Sequence, residues 1–163
     1  MIRVGILTIS DRGSKGERED LSGKILKESI EKLGWVLKRY QVIPDEKEEI
    51  INTLITWCDK EHLEVIITTG GTGVYPRDVT PEATKEILEK EIPGISEYIR
   101  FISYPSTPFA ALSRGVSGIR GQTLIINLPG SPKAIEEIFP YLIEIIKHAV
   151  SKIKGDSSEC ARN

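Results

Sequence analysis

Val65-Ile66-Ile67-Thr68-Thr69-Gly70-Gly71-Thr72-Gly73 is the stretch on which the fold turns. Five β-branched residues in a row break into a Gly-rich turn. A strand that is apolar along its length is buried on both faces, the habit of parallel sheets. Shortly afterwards Thr80-Pro81-Glu82 reads as a helix start: Thr as N-cap, Pro at the first helical position, an acid in the first turn. Strand, turn and helix make one unit, and the chain on either side repeats it.

Upstream, Ile2 to Ile9 is an apolar run that ends in Ser10-Asp11-Arg12-Gly13, followed by a polar loop to Asp20. Leu21, Ile25, Leu26, Ile30 and Leu33 fall at helical spacing, and Gly34 closes that helix. Trp35 to Ile43 is a second strand, stopped by Pro44-Asp45. Glu46 to Glu61 is a second helix that buries Ile50, Ile51, Leu54, Ile55 and Cys58.

Downstream, Pro93-Gly94 ends the third helix or separates it from one around Ile95 to Ile102. Tyr104 to Pro108 is a turn-rich connection, Phe109 to Arg114 a short helix and Val116 to Ile119 an extra short strand. Thr123 to Leu128 is a buried strand that ends in Pro129-Gly130-Ser131-Pro132. Ser131 caps a helix running to about Ile153, which Pro140 kinks or splits. Strand–helix alternation of this kind predicts an α/β fold with a parallel sheet. It is one domain over residues 1–154 with a polar, disordered tail over 155–163.

The chain has 163 residues, and Lys plus Arg against Asp plus Glu leaves a net charge of −2. That balance, with 39% hydrophobic residues, excludes a disordered chain. It gives no support to nonspecific nucleic-acid binding. No run reaches the roughly 18 apolar residues of a membrane span, and the first residues lack the features of a signal peptide, so a cytoplasmic location is expected. Cys58 and Cys160 have no ligand-spaced partners, and His62 and His148 lie in Lys/Glu-rich surroundings. Zinc, a disulfide and histidine-based catalysis are therefore not expected. Few Gln, Asn and Met residues beside many charges suggest a thermophile's protein.

The charges are unevenly placed. From Tyr98 to Ile135 there is no Asp or Glu, while Arg100, Arg114, Arg120 and Lys133 stand in that run. Chance or a core-rich segment produces such a run; so does a segment that lines an anion site.

Open parallel sheets bind ligands beyond the carboxyl ends of their strands. The loops there carry Ser10-Asp11-Arg12, Pro44-Asp45, Gly70 to Asp78, and Pro129-Gly130-Ser131. The Gly70–Gly73 turn lets backbone N–H groups approach an anion, or is a plain tight turn. It matches neither the P-loop nor the dinucleotide spacing. The Pro129–Pro132 turn opens a helix whose N-terminus suits phosphate. Two such turns on one rim, one of them inside the acid-free run, favour the anion site. Asp45 and Asp78 lie on that rim rather than on a Lys-rich helix face, as carboxylates that meet phosphate through Mg²⁺ would. Arg77 could meet a phosphate or pair with Asp78.

Together the motifs resemble the MogA/MoaB family of molybdenum-cofactor biosynthesis, with the MogA branch nearer and the gephyrin G domain a relative. The resemblance rests on Thr8-Ile9-Ser10-Asp11-Arg12, Ile43-Pro44-Asp45-Glu46, Thr68 to Gly73, Arg77 to Ala83, Ser113-Arg114 and Leu124 to Lys133, and spans Val4 to about Ile153. It implies a three-layer molybdopterin-binding fold and molybdopterin adenylyltransferase activity: AMP passes from Mg-ATP to the terminal phosphate of molybdopterin. Asp45 and Asp78 become the catalytic, Mg-holding pair. Ser10, Asp11, Thr69, Gly70, Gly71, Thr72, Gly73, Arg77, Ser113, Arg114, Pro129, Gly130, Ser131 and Pro132 become the substrate site. It also implies a homotrimer or dimer of trimers and handover to a MoeA-type molybdate insertase. The alternative is a MoaB-like module that binds molybdopterin without adenylyl transfer.

Overall fold

The computed structural model describes residues 1–158. Strands β1 (Arg3–Ile9), β2 (Val36–Ile43), β3 (Val65–Thr69), β4 (Lys90–Glu91), β5 (Ser117–Arg120) and β6 (Thr123–Leu128) form one sheet in the order β2-β1-β3-β6-β5-β4. The first four are parallel, and β5 and β4 are antiparallel additions at one edge. The helices are α1 (Asp11–Ser14), α2 (Leu21–Lys32), α3 (Lys47–Ile55), α4 (Thr80–Ile87), α5 (Pro93–Ser103) and α6 (Pro132–Ile153).

Side-chain alternation divides the apolar strands between two cores. Ile6, Ile67 and Ile126 stand side by side in register across β1, β3 and β6. They face a core completed by Leu26 and Ile30 of α2, Ile95 and Ile99 of α5, and Ile135, Ile138, Leu142 and Ile146 of α6. Ile66 and Ile125 face the other way, onto Ile50 and Leu54 of α3 and Ala83 and Ile87 of α4. Helices thus cover both faces of a mostly parallel sheet, as expected. Each fully buried Ile or Leu contributes about 1.5–3 kcal/mol before entropy is counted.

Several local features differ from the sequence reading. Thr80 is not the N-cap of α4; Val79 holds that position without a side-chain cap bond. The Thr80 hydroxyl instead donates to the Gly70 carbonyl at 3.0 Å, so a long-range contact displaces a local one. The polar loop after β1 contains the short helix α1, capped by Ser10. The second helix changes at Ile55 into a π turn over Thr56–Lys60, which buries Trp57 and Cys58. β4 is too short and polar to signal itself. α6 runs unbroken past Pro140. Pro140 and Glu136, whose carbonyl loses its donor, both lie on the exposed side, where water can replace the bond. The buried stripe of Ile138, Phe139 and Leu142 holds the helix in place. Gly34 does end α2, at φ +72°. Asp156 folds back to accept from Ser151 and Ser158; the rest of the tail, with Cys160, lies outside the described residues. Among the described residues no helix is long and apolar enough to cross a membrane.

Candidate functional site

The parallel strands end together, and their loops are tied to one another by backbone. The Gly70 N–H donates to the Leu128 carbonyl at 3.1 Å. The Thr69 hydroxyl donates to the Pro129 carbonyl at 2.7 Å, which joins the turns after β3 and β6. Ser22 of α2 donates to the Gly130 carbonyl at 2.6 Å. Between β1 and β2 the tie is reciprocal: the Asp11 N–H donates to Asp45 Oδ2 and the Asp45 N–H to Asp11 Oδ1, both at 3.0 Å.

Two glycines make this closeness possible. Gly70 has φ +98°, and a Cβ there would lie 2.3 Å from the Ile9 carbonyl oxygen. Gly71 has φ +67°, and its Cβ would lie 2.3 Å from Thr80 Oγ1 and 2.9 Å from Asp45 Oδ1. An L side chain would meet both the left-handed backbone and these oxygens. Asp45 therefore reaches over the Gly-rich turn only because nothing projects from Gly71. Its Oδ1 is buried and has no hydrogen-bond partner. Burial is the main reason the Asp45 carboxyl lies above its ordinary pKa; the Asp11 N–H counters this, and the charges of Asp11 and Asp78 add to the rise. The N–H groups of Gly71, Thr72 and Gly73, and of Gly130, Ser131 and Lys133 at the start of α6, donate to nothing among the described residues. Unpartnered backbone donors in turns of this kind favour anions.

Two cavities meet on this ridge. One, of about 610 Å³, lies over β1, β3 and the start of α2, and Asp20, Asp45 and Asp78 line it with Ser10 and Arg18. The other, of about 470 Å³, lies toward α5. Its walls include Ile99, Phe109, Ala110 and Leu112, with Arg100, Ser113 and Lys133 among its polar groups. Gly70, Gly71, Asp78, Gly130 and Ser131 belong to both.

Most of the residues expected from sequence border one cavity or the other: Ser10, Asp45, Thr69 to Gly73, Asp78, Ser113, and Pro129 to Pro132. Asp11, Arg77 and Arg114 stand behind them. Arg77 does not pair with Asp78. It grips Asp11 at 2.7 Å and Glu46 at 2.8 Å, and donates to the Asp45 carbonyl. Its guanidinium holds the Asp11 carboxyl below the ordinary value. Arg114 donates to the carbonyls of Gly73 and Asp78 and pairs with Glu82 at 2.7 Å, so it braces the turn from outside.

Sequence reasoning does not single out Asp20, Thr8 or Arg100 as site residues, although Arg100 stands in the acid-free run and Thr8 in the Thr8 to Arg12 motif. Asp20 accepts from Thr8 Oγ1, the Gly23 N–H and the Tyr40 hydroxyl, so it caps α2 and is well satisfied. Its place just before a helical pattern was the available signal. Among the described residues no three His, Cys, Asp or Glu side chains form a metal-binding cluster.

Fold and site together define an α/β domain with two adjoining cavities at the ends of its parallel strands. The chain belongs to the family described as "Probable molybdopterin binding domain", whose model matches residues 5–148. It is 43% identical over 157 residues to a molybdopterin adenylyltransferase of Helicobacter pylori, covering 95% of this chain and 89% of that protein. It is 50% identical over 161 residues to the molybdenum cofactor synthesis protein cinnamon of Drosophila melanogaster. The match covers 96% of this chain but only 26% of that longer protein. The crystal structure of the molybdopterin biosynthesis enzyme MoaB from Thermus thermophilus superposes with a TM-score of 0.89 at 47% identity, over 95% of this chain and 98% of that one.

Proposed function

We propose that this chain is a molybdopterin adenylyltransferase that uses ATP. The observation that carries the reading is the shared ridge: two cavities meet at Gly70, Gly71, Asp78, Gly130 and Ser131. Joining two phosphorylated molecules needs such a meeting point. The larger, carboxylate-lined cavity takes the nucleotide, and the more apolar one takes the pterin. A terminal phosphate oxygen of molybdopterin bonds to the α-phosphorus of ATP, the bond from that phosphorus to the departing pyrophosphate breaks, and adenylylated molybdopterin remains. No Cys or His nucleophile is required, because phosphoryl-type transfer depends on positioning and charge neutralisation. The unbonded N–H groups of Gly71 to Gly73 and of the first turn of α6 hold phosphate oxygens. Thr69, Thr80 and Arg114 keep those groups in place.

Mg²⁺ fits the residues present. Asp45 Oδ1 is a buried, unpartnered oxygen, Asp78 borders the same cavity and its charge acts on Asp45, and the absence of a three-carboxylate cluster among the described residues suits an ion that keeps water and phosphate oxygens. Asp45 and Asp78 would hold it, and when bound it neutralises phosphate charge. Residues 1–154 act as one molybdopterin-binding unit in the cytoplasm. The exposed Phe101, Tyr104 and Tyr141 on α5, α6 and the following turn support a homotrimer or dimer of trimers. The product suits handover to a MoeA-type molybdate insertase. The test is pyrophosphate release from Mg-ATP on adding molybdopterin. Pyrophosphate appearing only with both substrates is expected; pterin binding without it leaves a binding module, and ATP breakdown without pterin leaves a hydrolase.

A further inference from the structure

Among the described residues four arginines are half-buried: Arg3, Arg100, Arg114 and Arg120. Three have a carboxylate. Arg3 meets Glu64, Arg114 meets Glu82 and Arg120 meets Asp59. Arg100 has none. One terminal nitrogen donates to the carbonyls of Ser113 and Gly115, each at a long 3.3 Å, and its other N–H groups donate to nothing. Arg100 also lines the smaller cavity, and it stands in the chain's acid-free run. The second cation on that cavity, Lys133, is mostly exposed and has Glu137 4.0 Å away. A partly desolvated guanidinium without a counter-charge is costly, and truncating its anionic partner in other sites is strongly unfavourable.

We propose that Arg100 is a specificity residue whose counter-charge arrives with the substrate: it selects the phosphorylated form of the pterin. This rests on the reading of the smaller cavity as the pterin site. Ser113 and Gly115 hold the guanidinium from one side through their carbonyls, so the fork keeps its remaining donors for phosphate oxygens. Two acids, Asp78 and Glu137, also border this cavity, but neither forms an ion pair with Arg100, and the stretch of chain that carries Arg100, Ser113 and Gly115 has no acid of its own. Phosphate selection then belongs to α5 and not only to the strand-end turns.

The test is direct binding of molybdopterin in the absence of ATP, beside binding of a neutral pterin that lacks the phosphate. Arg100→Gln keeps a donor for the two carbonyls and removes the charge; Arg100→Lys keeps the charge and loses the fork. Arg100→Gln should weaken molybdopterin by at least about tenfold, since charge-assisted bonds are roughly twice as strong as neutral ones. It should leave the neutral pterin within about twofold and flatten the salt dependence of binding. Arg100→Lys should recover part of the loss, and the melting temperatures should stay close to wild type. Equal weakening of both ligands, or unchanged molybdopterin affinity, overturns the proposal. Because no turnover is read, a wild-type protein that binds molybdopterin yet releases no pyrophosphate refutes the enzymatic reading and leaves this one intact. Wild-type protein that releases pyrophosphate while Arg100→Gln binds normally does the reverse.

Discussion

The two cavities share a ridge but are built differently. The larger rests on the ends of β1, β2 and β3, where Asp45, Asp78 and Asp20 concentrate negative charge on backbone pinned by reciprocal hydrogen bonds. The smaller is walled by α5 and the 3₁₀ turn Pro108–Leu112, with apolar side chains, the cations Arg100 and Lys133, and Asp78 and Glu137 at its border; Phe109 is 74% exposed. One half therefore suits a cation-accompanied polyphosphate, the other a flat ring that carries its own anion. On the proposed reading, the strand-end scaffold sets where the reaction occurs and the added helical wall selects what is brought there.

The largest effects should follow from the two aspartates, and they should differ. Asp45 lines only the larger cavity, whereas Asp78 lies on both. Asp45→Asn and Asp78→Asn should each lower pyrophosphate release by about a hundredfold or more, the scale on which a lost electrostatic contact acts. Asp45→Asn should leave molybdopterin affinity unchanged, while Asp78→Asn alters it. Equal effects on pterin binding would break the division between the cavities. Asp45→Asn has a second signature in metal-free protein. Burial raises the folded-state pKa of Asp45, so stability falls as the pH climbs from the ordinary carboxylate value to the folded one, and the full cost stands above it. The variant should melt higher than wild type at neutral pH. The gain should shrink as the pH falls and the folded wild-type carboxyl takes up its proton. A constant gap from neutral to acid pH would remove burial as its cause.

The ridge comes next. Gly70→Ala should destabilise the fold by about 2 kcal/mol or more, from the positive φ and from the Ile9 carbonyl, a backbone atom with little room to yield. Both substrates should then bind more weakly, as both cavities end on Gly70. A chemical denaturation series would check the stability, and separate titrations the binding. Loss on one side only would mean that the ridge is not shared.

The unequal visibility of these regions in the sequence follows from the same division. Strand-end loops announce themselves, because a β-branched run that stops at Gly70-Gly71 or Pro129-Gly130 marks both the element and the rim where the cavities lie. The parallel core and the roles of Ser10, Asp45 and Asp78 as rim residues were legible for that reason. The helical wall was not. Whether Arg100 of α5 meets Ser113 and Gly115 depends on how a 3₁₀ turn and an antiparallel strand fold back against α6, and no periodicity encodes that. Thr80 shows the same limit within one residue. Thr-Pro-Glu is a sound helix-start pattern, yet the hydroxyl spans from α4 to the Gly70 carbonyl because tertiary contact brings a better acceptor. Arg77 likewise sits beside Asp78 in the chain but meets Asp11 and Glu46 in space.

Thr80→Val probes that tertiary bond. Thr80 is fully buried, and loss of its hydroxyl strands the Gly70 carbonyl with little change in volume. The cost should be about 1–3 kcal/mol, seen as a lower denaturation midpoint. Nucleotide and pterin affinity should fall together, because the ridge loosens beneath both. If Thr80→Ser, which keeps the hydroxyl, loses as much as Thr80→Val, methyl packing rather than the bond holds the ridge.

The smallest effect should come from Ser131. Its hydroxyl accepts from the Ala134 N–H at 3.4 Å, a long cap, so Ser131→Ala should cost only about 0.5–1 kcal/mol of stability. The N–H groups of Gly130, Ser131 and Lys133 survive the substitution, since they are backbone, but the first turn of α6 loses its anchor. Affinity for both substrates should fall by roughly two- to tenfold, the worth of one modest hydrogen bond. Calorimetric titration of each ligand against each variant would measure it. Unchanged affinity on both sides would mean that the α6 terminus shapes the cavities without holding phosphate. The work of anion binding would then rest on Gly71 to Gly73 alone.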